Sequence, residues 1–264
     1  MFLSLGSLGC NSGDQAVPKQ PNILIVVADD LAHAALGDRY GLTPEIDRLI
    51  AESVAFEHAT ASSPFCTPSR QSFLTGRWPH AIGVTQVNSL LPAGVTTMGD
   101  AFRGSGYRTA AHGKMHWQRR RAPSLDRGFD QIQDITEWRE QLSPSEREAY
   151  DRYRDIWRGR NEEEWLHLNP DARPLPLPEH RQYASWLVDR TLDFIDDSDD
   201  EPYLAVCSFS EVHTPFSFPP SYAGRVKAAD IDLPSGGTED LLAQAPGVLS
   251  GLRSREQTRG PLTE

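Results

Sequence analysis

The sequence is poor in basic residues and in cysteine, and it contains no long apolar run. Its 26 Lys and Arg are outnumbered by 37 Asp and Glu, which gives a formal net charge of −11. This excess of negative charge argues against non-specific binding to nucleic acid or to an anionic membrane surface. No apolar run approaches the ~18–20 residues that a transmembrane helix requires. We therefore expect neither a nucleic-acid partner nor a membrane-spanning body.

The sequence contains three cysteines, and their spacing matches neither a zinc site nor a thioredoxin-like motif. Cys207 lies in an apolar run that predicts a strand, so we expect a small buried residue there. Cys10 follows Leu8-Gly9, which is similar to the end of a lipoprotein cleavage box. Residues 1–20 are therefore predicted to be the remnant of a signal and tether, with a lipid anchor at Cys10 and a periplasmic or extracellular location.

The order of the predicted elements favours an α/β fold. The run from Asn22 to Ala28 is β-branched and continuously apolar, which predicts a strand buried on both faces of a parallel sheet. Thr43-Pro44 and the apolar spacing after it predict a helix over 44–52. Further helices are predicted over 70–74, 96–103 and 179–195, and further strands over 107–112 and 203–209.

Two segments lack this alternation. Residues 137–170 are rich in Arg, Glu and Trp without a strand pattern, and helical pairs such as Glu148 and Arg152 indicate an exposed excursion on the sheet and not a separate domain. From Asp230 onward Gly, Pro, Gln and charged residues dominate, so residues 230–264 are predicted to be a poorly ordered tail. The body of the fold is thus expected over 21–229.

The segment from Cys66 to Gly76 has the strongest chemical signal. Pro68 suits the first turn of a helix, so Cys66 is expected near a helix N-terminus, where free N–H groups and the macrodipole favour a developing negative charge. Arg70, one turn further on, can stabilise an anionic oxygen. The alternatives are a buried structural thiol at Cys66 and a structural ion pair at Arg70.

Adjacent carboxylates follow the first predicted strand. Asp29 and Asp30 stand where the carboxyl end of a parallel strand places functional groups in open α/β sheets. Their oxygens suit a hard divalent cation such as Ca²⁺ or Mg²⁺. The alternative is an Asx cap after the strand, which explains one aspartate better than two.

Polar residues also follow two later strands. In Gly113-Lys114-Met115-His116-Trp117, alternate residues share a direction, so Lys114 and His116 are expected to face one pocket. His213 lies in Glu211-Val212-His213-Thr214-Pro215-Phe216, and its near-neutral pKa permits proton transfer. The alternatives are a solvated lysine and structural histidines.

Together these segments resemble the type I, formylglycine-dependent sulfatase family. Residues 66–76 match its C-x-P-S-R-x-x-x-L-T-G motif, and Pro21-Asn22 with Asp29-Asp30 match its N-terminal pattern. Residues 113–117 are similar to its G-K-W-H-L segment, and residues 212–216 to its P-H-x-P-F segment. The resemblance implies an alkaline-phosphatase-like α/β fold, with a mixed, mostly parallel sheet between helices. Residues 21–229 would be the N-terminal part of the catalytic domain, apparently truncated.

The resemblance also implies hydrolysis of a sulfate monoester, carried by a small molecule or a glycan. Cys66 would be oxidised by a formylglycine-generating maturation enzyme, and the hydrated aldehyde would supply the nucleophile. Arg70 and Lys114 would balance charge on the sulfate. His213 would assist departure of the alcohol, and His116 would act as the base that regenerates the aldehyde.

The metal implied by the resemblance is Ca²⁺, with Mg²⁺ less favoured, held by Asp29, Asp30 and the oxygen derived from Cys66. The family completes this site with a later Asp-His-Gly or Asp-Asn-Gly segment, and neither occurs between His213 and Glu264. Since Ca²⁺ takes roughly 6–8 oxygen ligands, binding by this chain is expected to be weak.

Two other functions stay open at this point. A phosphonate or phosphate ester hydrolase of the same superfamily fits the same residues, because tetrahedral oxyanions share one electrostatic requirement. An inactive, anion-binding fragment is favoured by the lack of the later metal ligands.

Overall fold

A computed structural model describes residues 20–36, 43–87, 89–117, 126–158, 173–213 and 216–227. The predictions for residues 1–19, including the anchor at Cys10, and for residues 230–264 lie outside the described residues. None of the described helices has the length and apolarity needed to cross a membrane. In chain order the elements are β1 (Ile23–Val27), α1 (Pro44–Ala51), α2 (Cys66–Thr75), α3 (Met98–Gly104), β2 (Arg108–Gly113), β3 (Gln131–Gln133), α4 (Ile135–Glu140), α5 (Pro144–Arg158), β4 (Arg173–Pro174), α6 (Tyr183–Asp196), β5 (Tyr203–Ser208) and β6 (Ser217–Phe218).

The main sheet has the strand order β1-β5-β2-β3, and β4 pairs with β6 in a separate small sheet. Every described strand pair is parallel, so the mostly parallel sheet predicted from the sequence is confirmed. Ser208, the last residue of β5, lies in register with Val27 of β1 on one side and Gly113 of β2 on the other. The carboxyl ends of three strands therefore meet at one edge of the sheet.

Helices cover both faces of this sheet. Leu204 and Val206 of β5 pack in a cluster with Leu74 of α2, and partly buried residues of α3 join that cluster. On the opposite face, Cys207 packs in a cluster with Leu187 of α6. The alternation along β5 thus places α2 and α3 on one side and α6 on the other. The prediction that Cys207 is buried is confirmed.

The prediction that β1 is buried on both faces is wrong for the described part of the chain. Ile23 and Ile25 pack against the core, but Leu24 is 48% exposed and Val26 is 61% exposed. β1 lies at the edge of the described sheet, and no described element covers the face formed by Leu24 and Val26. A continuous apolar run does not show which elements will cover it, which is why the sequence alone predicted burial.

Helix boundaries follow local capping. The helix predicted over 44–52 is present as α1. α2 begins at Cys66, earlier than predicted, and ends before Gly76, whose φ of 66° is the left-handed conformation that favours glycine after a helix. α3 begins two residues later than predicted, because Thr97 and Asp100 form a capping box at its start.

The described part of residues 137–170 is helical and includes the exposed pair of Glu148 and Arg152, but its aromatic face is buried, which the sequence interpretation did not include. Trp138 of α4 is 2% exposed, and its ring meets that of Tyr150 of α5 edge to face at 4.9 Å. The indole N–H of Trp138 donates to the main-chain oxygen of Arg181 at 3.1 Å. Both aromatic residues belong to the same cluster as Trp186 of α6, so α4 and α5 pack on the main body. Residues 159–172 lie outside the described residues.

Candidate active site

The strand ends bring three predicted site segments together. Asp29 lies two residues after the end of β1, and its main-chain N–H donates to the oxygen of Glu211 at 3.0 Å. The N–H of Val212 in turn donates to the oxygen of Asp29 at 2.7 Å. The loop that carries His213 is therefore hydrogen-bonded to the segment that follows β1. Lys114 follows β2 and is held in the same way, because its N–H donates to the oxygen of Ser208 at 2.8 Å.

The carboxylate of Asp29 joins two cations. Its Oδ1 accepts from Nη2 of Arg70 at 2.9 Å, and its Oδ2 accepts from Nζ of Lys114. The side chains of all three residues are only 9–11% exposed. Burial by itself would raise the pKa of the Asp29 carboxyl, but the hydrogen bonds and charges of Lys114 and Arg70 outweigh it and lower that pKa. Asp29 therefore stays ionised at neutral pH.

Arg70 projects from α2 onto the strand ends. Its Nη1 donates to Oγ of Ser208 at 2.6 Å and to the main-chain oxygen of Lys114. The Ser208 hydroxyl donates to that same Lys114 oxygen at 2.7 Å. Gln71, the next residue of α2, is fully buried and donates from Nε2 to the main-chain oxygen of Met115 at 3.2 Å. α2 is thus tied to the loop after β2 at two points.

His116 lies beside this charged group. Its Nδ1 is 3.4 Å from the hydroxyl of Thr67, and its φ is 59°. Burial, followed by the positive charges of Lys114 and Arg70, lowers the pKa of His116 to about 4. The imidazole is therefore neutral at neutral pH and can accept a proton.

Cys66 is the first residue of α2, which confirms its predicted place at a helix N-terminus. Its thiol is free and partly exposed. The residue before it, Phe65, has an extended conformation and an exposed side chain. Cys66 therefore stands where the unpaired N–H groups of the first turn favour negative charge and where solvent or a ligand can reach it.

The metal-binding groups differ in one member from the predicted set. Asp29, Asp30 and His213 each offer a ligand atom, and these atoms all lie within 4.8 Å of one another. Cys66 is not part of this group, so its role as a metal ligand stays a prediction. The two carboxylates fit a hard divalent cation in chemical type. Among the described residues these three donors are fewer than the roughly 6–8 oxygen ligands that Ca²⁺ takes, and weak binding stays a prediction.

Sequence reasoning missed several residues that build this site. Ser208 and Thr67 contact predicted site residues, Gln71 binds the main chain of Met115 between Lys114 and His116, and the main chain of Glu211 holds Asp29. Thr67 and Gln71 occupy variable positions within the Cys66 motif, so the motif gave no reason to select them. Ser208 has the same signal as Asp29, since each stands at or just beyond the carboxyl end of a parallel strand. That signal could have identified Ser208.

Comparison with known proteins shows to which family this chain belongs. A family model described as Sulfatase matches residues 21–248. The chain belongs to the sulfatase family. It is 28% identical to the ulvan-active sulfatase of Formosa agariphila over 83% of its own length and 42% of that protein's length. It is 30% identical to the uncharacterized sulfatase YidJ of Escherichia coli over 84% of its own length and 44% of that protein's length.

Solved structures agree on the fold of this sulfatase-family chain. The phosphonate monoester hydrolase SpPMH from Silicibacter pomeroyi superposes with a TM-score of 0.66 at 21% identity, covering 88% of this chain and 49% of that one. At this identity the likeness concerns the fold, and it confirms the predicted alkaline-phosphatase-like α/β architecture. The chain spans about half the length of the proteins it matches.

Proposed function

We propose that this chain carries the nucleophile and oxyanion-binding part of a sulfuric ester hydrolase that cleaves a sulfate monoester. One observation carries the proposal. Arg70 and Lys114 converge on the carboxylate of Asp29 at the edge where β1, β2 and β5 end, and Arg70 shares α2 with Cys66. Two cations on one buried carboxylate form a rigid positive site, which suits an anionic group such as a sulfate ester.

Arg70 and Lys114 bind the sulfate oxygens in this proposal. Asp29 neutralises one of the two positive charges, so the net charge of the trio is positive. Its hydrogen bonds hold both cations in place before the substrate arrives, so little reorganisation is needed when charge develops on the sulfate oxygens.

Cys66 would supply the nucleophilic oxygen once a maturation enzyme has converted it to formylglycine and the aldehyde is hydrated. His116, whose imidazole is neutral, would accept the proton of the second hydroxyl as sulfate leaves. His213, next to Asp29 and Asp30, donates a proton toward the oxygen of the departing alcohol. The two histidines come from the loops that follow the neighbouring strands β2 and β5.

Asp29 and Asp30 would hold the divalent cation, with Ca²⁺ favoured over Mg²⁺. When bound, such a cation polarises a sulfate oxygen and stabilises the charge that develops in the transition state. A ligand atom of His213 also lies within 4.8 Å of those of the two carboxylates, but in this proposal His213 serves as the proton donor and not as a metal ligand.

The substrate class is a sulfated small molecule or glycan. One relative is named as an ulvan-active sulfatase, which supports an ester of this class without selecting one. The maturation enzyme that oxidises Cys66, the periplasmic or extracellular location and the lipid anchor at Cys10 remain parts of the proposal that rest on sequence.

Paired substrates test this function. The chain is co-expressed with a formylglycine-generating enzyme and assayed with 4-nitrophenyl sulfate, 4-nitrophenyl phosphate and 4-nitrophenyl phenylphosphonate, which share one leaving group. We expect turnover of the sulfate ester to exceed that of the other two and to vanish in Cys66→Ala. Faster turnover of the phosphonate or phosphate ester would favour the other hydrolase of this superfamily. Absence of turnover with all three, together with sulfate binding, would favour the anion-binding fragment.

A further inference from the structure

We propose that Ser208 is a positioning residue that fixes the guanidinium of Arg70 toward the oxyanion, a role that rests on the proposed function. Ser208 stands outside the sequence motifs of the site, at the carboxyl end of β5. Its side chain is fully buried between α2 and the loop after β2.

The contacts of Ser208 use both capacities of its hydroxyl. Oγ accepts from Nη1 of Arg70 at 2.6 Å and donates to the main-chain oxygen of Lys114 at 2.7 Å. Nη1 of Arg70 donates to the same Lys114 oxygen, which closes a three-membered network. The Ser208 hydroxyl is therefore hydrogen-bonded both to Arg70 and to Lys114, the two residues whose side chains carry the positive charges of the site.

This network determines where the other end of the guanidinium points. With Nη1 held by Ser208 and Lys114, the planar group has one orientation left, and Nη2 meets Oδ1 of Asp29 at 2.9 Å. Loss of the Ser208 hydroxyl would leave Nη1 with the Lys114 oxygen alone. Rotation of the guanidinium would then be opposed by fewer contacts.

Ser208 is itself held rigidly. A Cβ added at Gly113 would lie 2.0 Å from the main-chain oxygen of Ser208, so β2 and β5 approach too closely here for any side chain at 113. The N–H of Lys114 also donates to that oxygen. The hydroxyl is thus presented from a fixed strand end, as a positioning role requires.

A purely structural serine offers a matched control. Ser198 is also fully buried, and its hydroxyl donates to the main-chain oxygen of Phe194 at 2.7 Å, away from the site residues. Ser198→Ala and Ser208→Ala remove the same atom from equally buried positions. If Ser208 only fills space, the two variants should differ in nothing but their stability.

The experiment measures rotation of the Arg70 guanidinium and binding of sulfate by two separate methods. Arginine side-chain ¹⁵N spectra detect hindered rotation of the guanidinium, and Arg70→Lys assigns the signal. Sulfate protection of Cys66 from iodoacetamide, followed by peptide mass spectrometry on the unconverted chain, measures anion binding. In Ser208→Ala we expect loss of the hindered Arg70 signal and an increase of about tenfold in the sulfate concentration that half-protects Cys66. In Ser198→Ala both readouts should match the wild type.

The two readouts separate the two claims. A hindered Arg70 signal that persists in Ser208→Ala would overturn the positioning role, whatever the sulfate result. Sulfate that fails to protect Cys66 in the wild-type chain would contradict the proposed function, while the Arg70 signal would still decide the role of Ser208.

Discussion

Oδ1 of Asp29 accepts a 2.9 Å hydrogen bond from Nη2 of Arg70, although 41 positions separate the two residues in the chain. The contact joins the end of β1 to the helix that begins with Cys66. It is almost fully buried, so the charges of the two side chains are only weakly screened by solvent. The ion pair thus forms part of the fold as well as part of the site.

Asp29→Asn should therefore destabilise the protein strongly. The substitution leaves the cations of Arg70 and Lys114 buried without a counter-charge, for which we expect a loss of about 3 kcal/mol in the free energy of unfolding, measured with urea. Asp151→Asn is the matched control, because the pair between Arg139 and Asp151 is more than a third exposed. That control should lose less than about 1 kcal/mol. Equal losses in the two variants would contradict the account.

Asp30→Asn should weaken cation binding without weakening the fold. Asp30 is exposed and has a φ of 56°, a conformation that asparagine adopts readily. We expect Ca²⁺ to bind the wild-type chain with a Kd on the order of 1 mM and the variant about tenfold more weakly. The measurement is the calcium-dependent shift of the thermal midpoint at constant ionic strength.

Asp199→Asn controls for the charge change, since Asp199 is also exposed and has a φ of 47°. It should respond to Ca²⁺ as the wild type does. An Asp30→Asn variant with an unchanged response to Ca²⁺ would remove Asp30 from the set of metal ligands.

Gly113→Ala should disrupt the edge where the site is assembled. Gly113 has a φ of 100°, and an added Cβ would meet the main-chain oxygen of Ser208. We expect a loss of about 3 kcal/mol or failure to obtain folded protein. At Gly94 an added Cβ meets nothing within 4 Å, so Gly94→Ala should change stability by less than about 0.5 kcal/mol. Comparable urea midpoints for the two variants would be inconsistent with the close strand approach.

The free energy of unfolding should decrease as the pH is lowered, because His112 binds a proton less readily in the folded chain than in the unfolded chain. Its ring is fully buried on β2 between Thr191 and Phe194 of α6, with the Nδ1 atom 3.0 Å from the Thr191 hydroxyl. Burial, and then the charge of Arg190, lowers the pKa of His112 from its ordinary value of 6.5 to about 4. Between these values the unfolded chain binds a proton that the folded chain does not. The contribution of His112 to the free energy of unfolding is therefore fully present above pH 6.5 and is lost as the pH falls toward 4.

His112→Gln keeps a hydrogen-bonding side chain and removes this titration. Urea unfolding should show that the free energy of unfolding decreases between pH 7 and pH 4, and that this decrease is smaller in the variant by about 3 kcal/mol. The figure follows from the shift in the pKa of His112 at about 1.4 kcal/mol per pKa unit. His180→Gln, at an exposed position, should retain the wild-type pH dependence. A wild-type slope in His112→Gln would show that His112 does not carry the effect.

The sequence predicted the places of the candidate site residues in the fold better than it predicted their surroundings. Cys66, Arg70 and Lys114 were predicted from chemistry at fixed spacing, and the structure places them at the helix start and strand ends that the spacing indicated. Local capping also explains why α2 and α3 could be placed within a few residues.

The remaining features depend on contacts between distant segments. The exposure of one face of β1 and the burial of Trp138 depend on which elements pack together. No local sequence pattern predicts that packing. The place of His213 beside Asp29 and the links of Ser208 likewise arise only when separate strands are brought into register.

The central claim is that Cys66 is the precursor of the nucleophile in a sulfatase site. The most direct measurement is the mass of the Cys66 peptide after co-expression of the chain with a formylglycine-generating enzyme. The account predicts the loss of mass that accompanies conversion of the thiol to an aldehyde, and an aldehyde-specific label on that residue. An unmodified thiol at Cys66, in cells where a control sulfatase is converted, would contradict it.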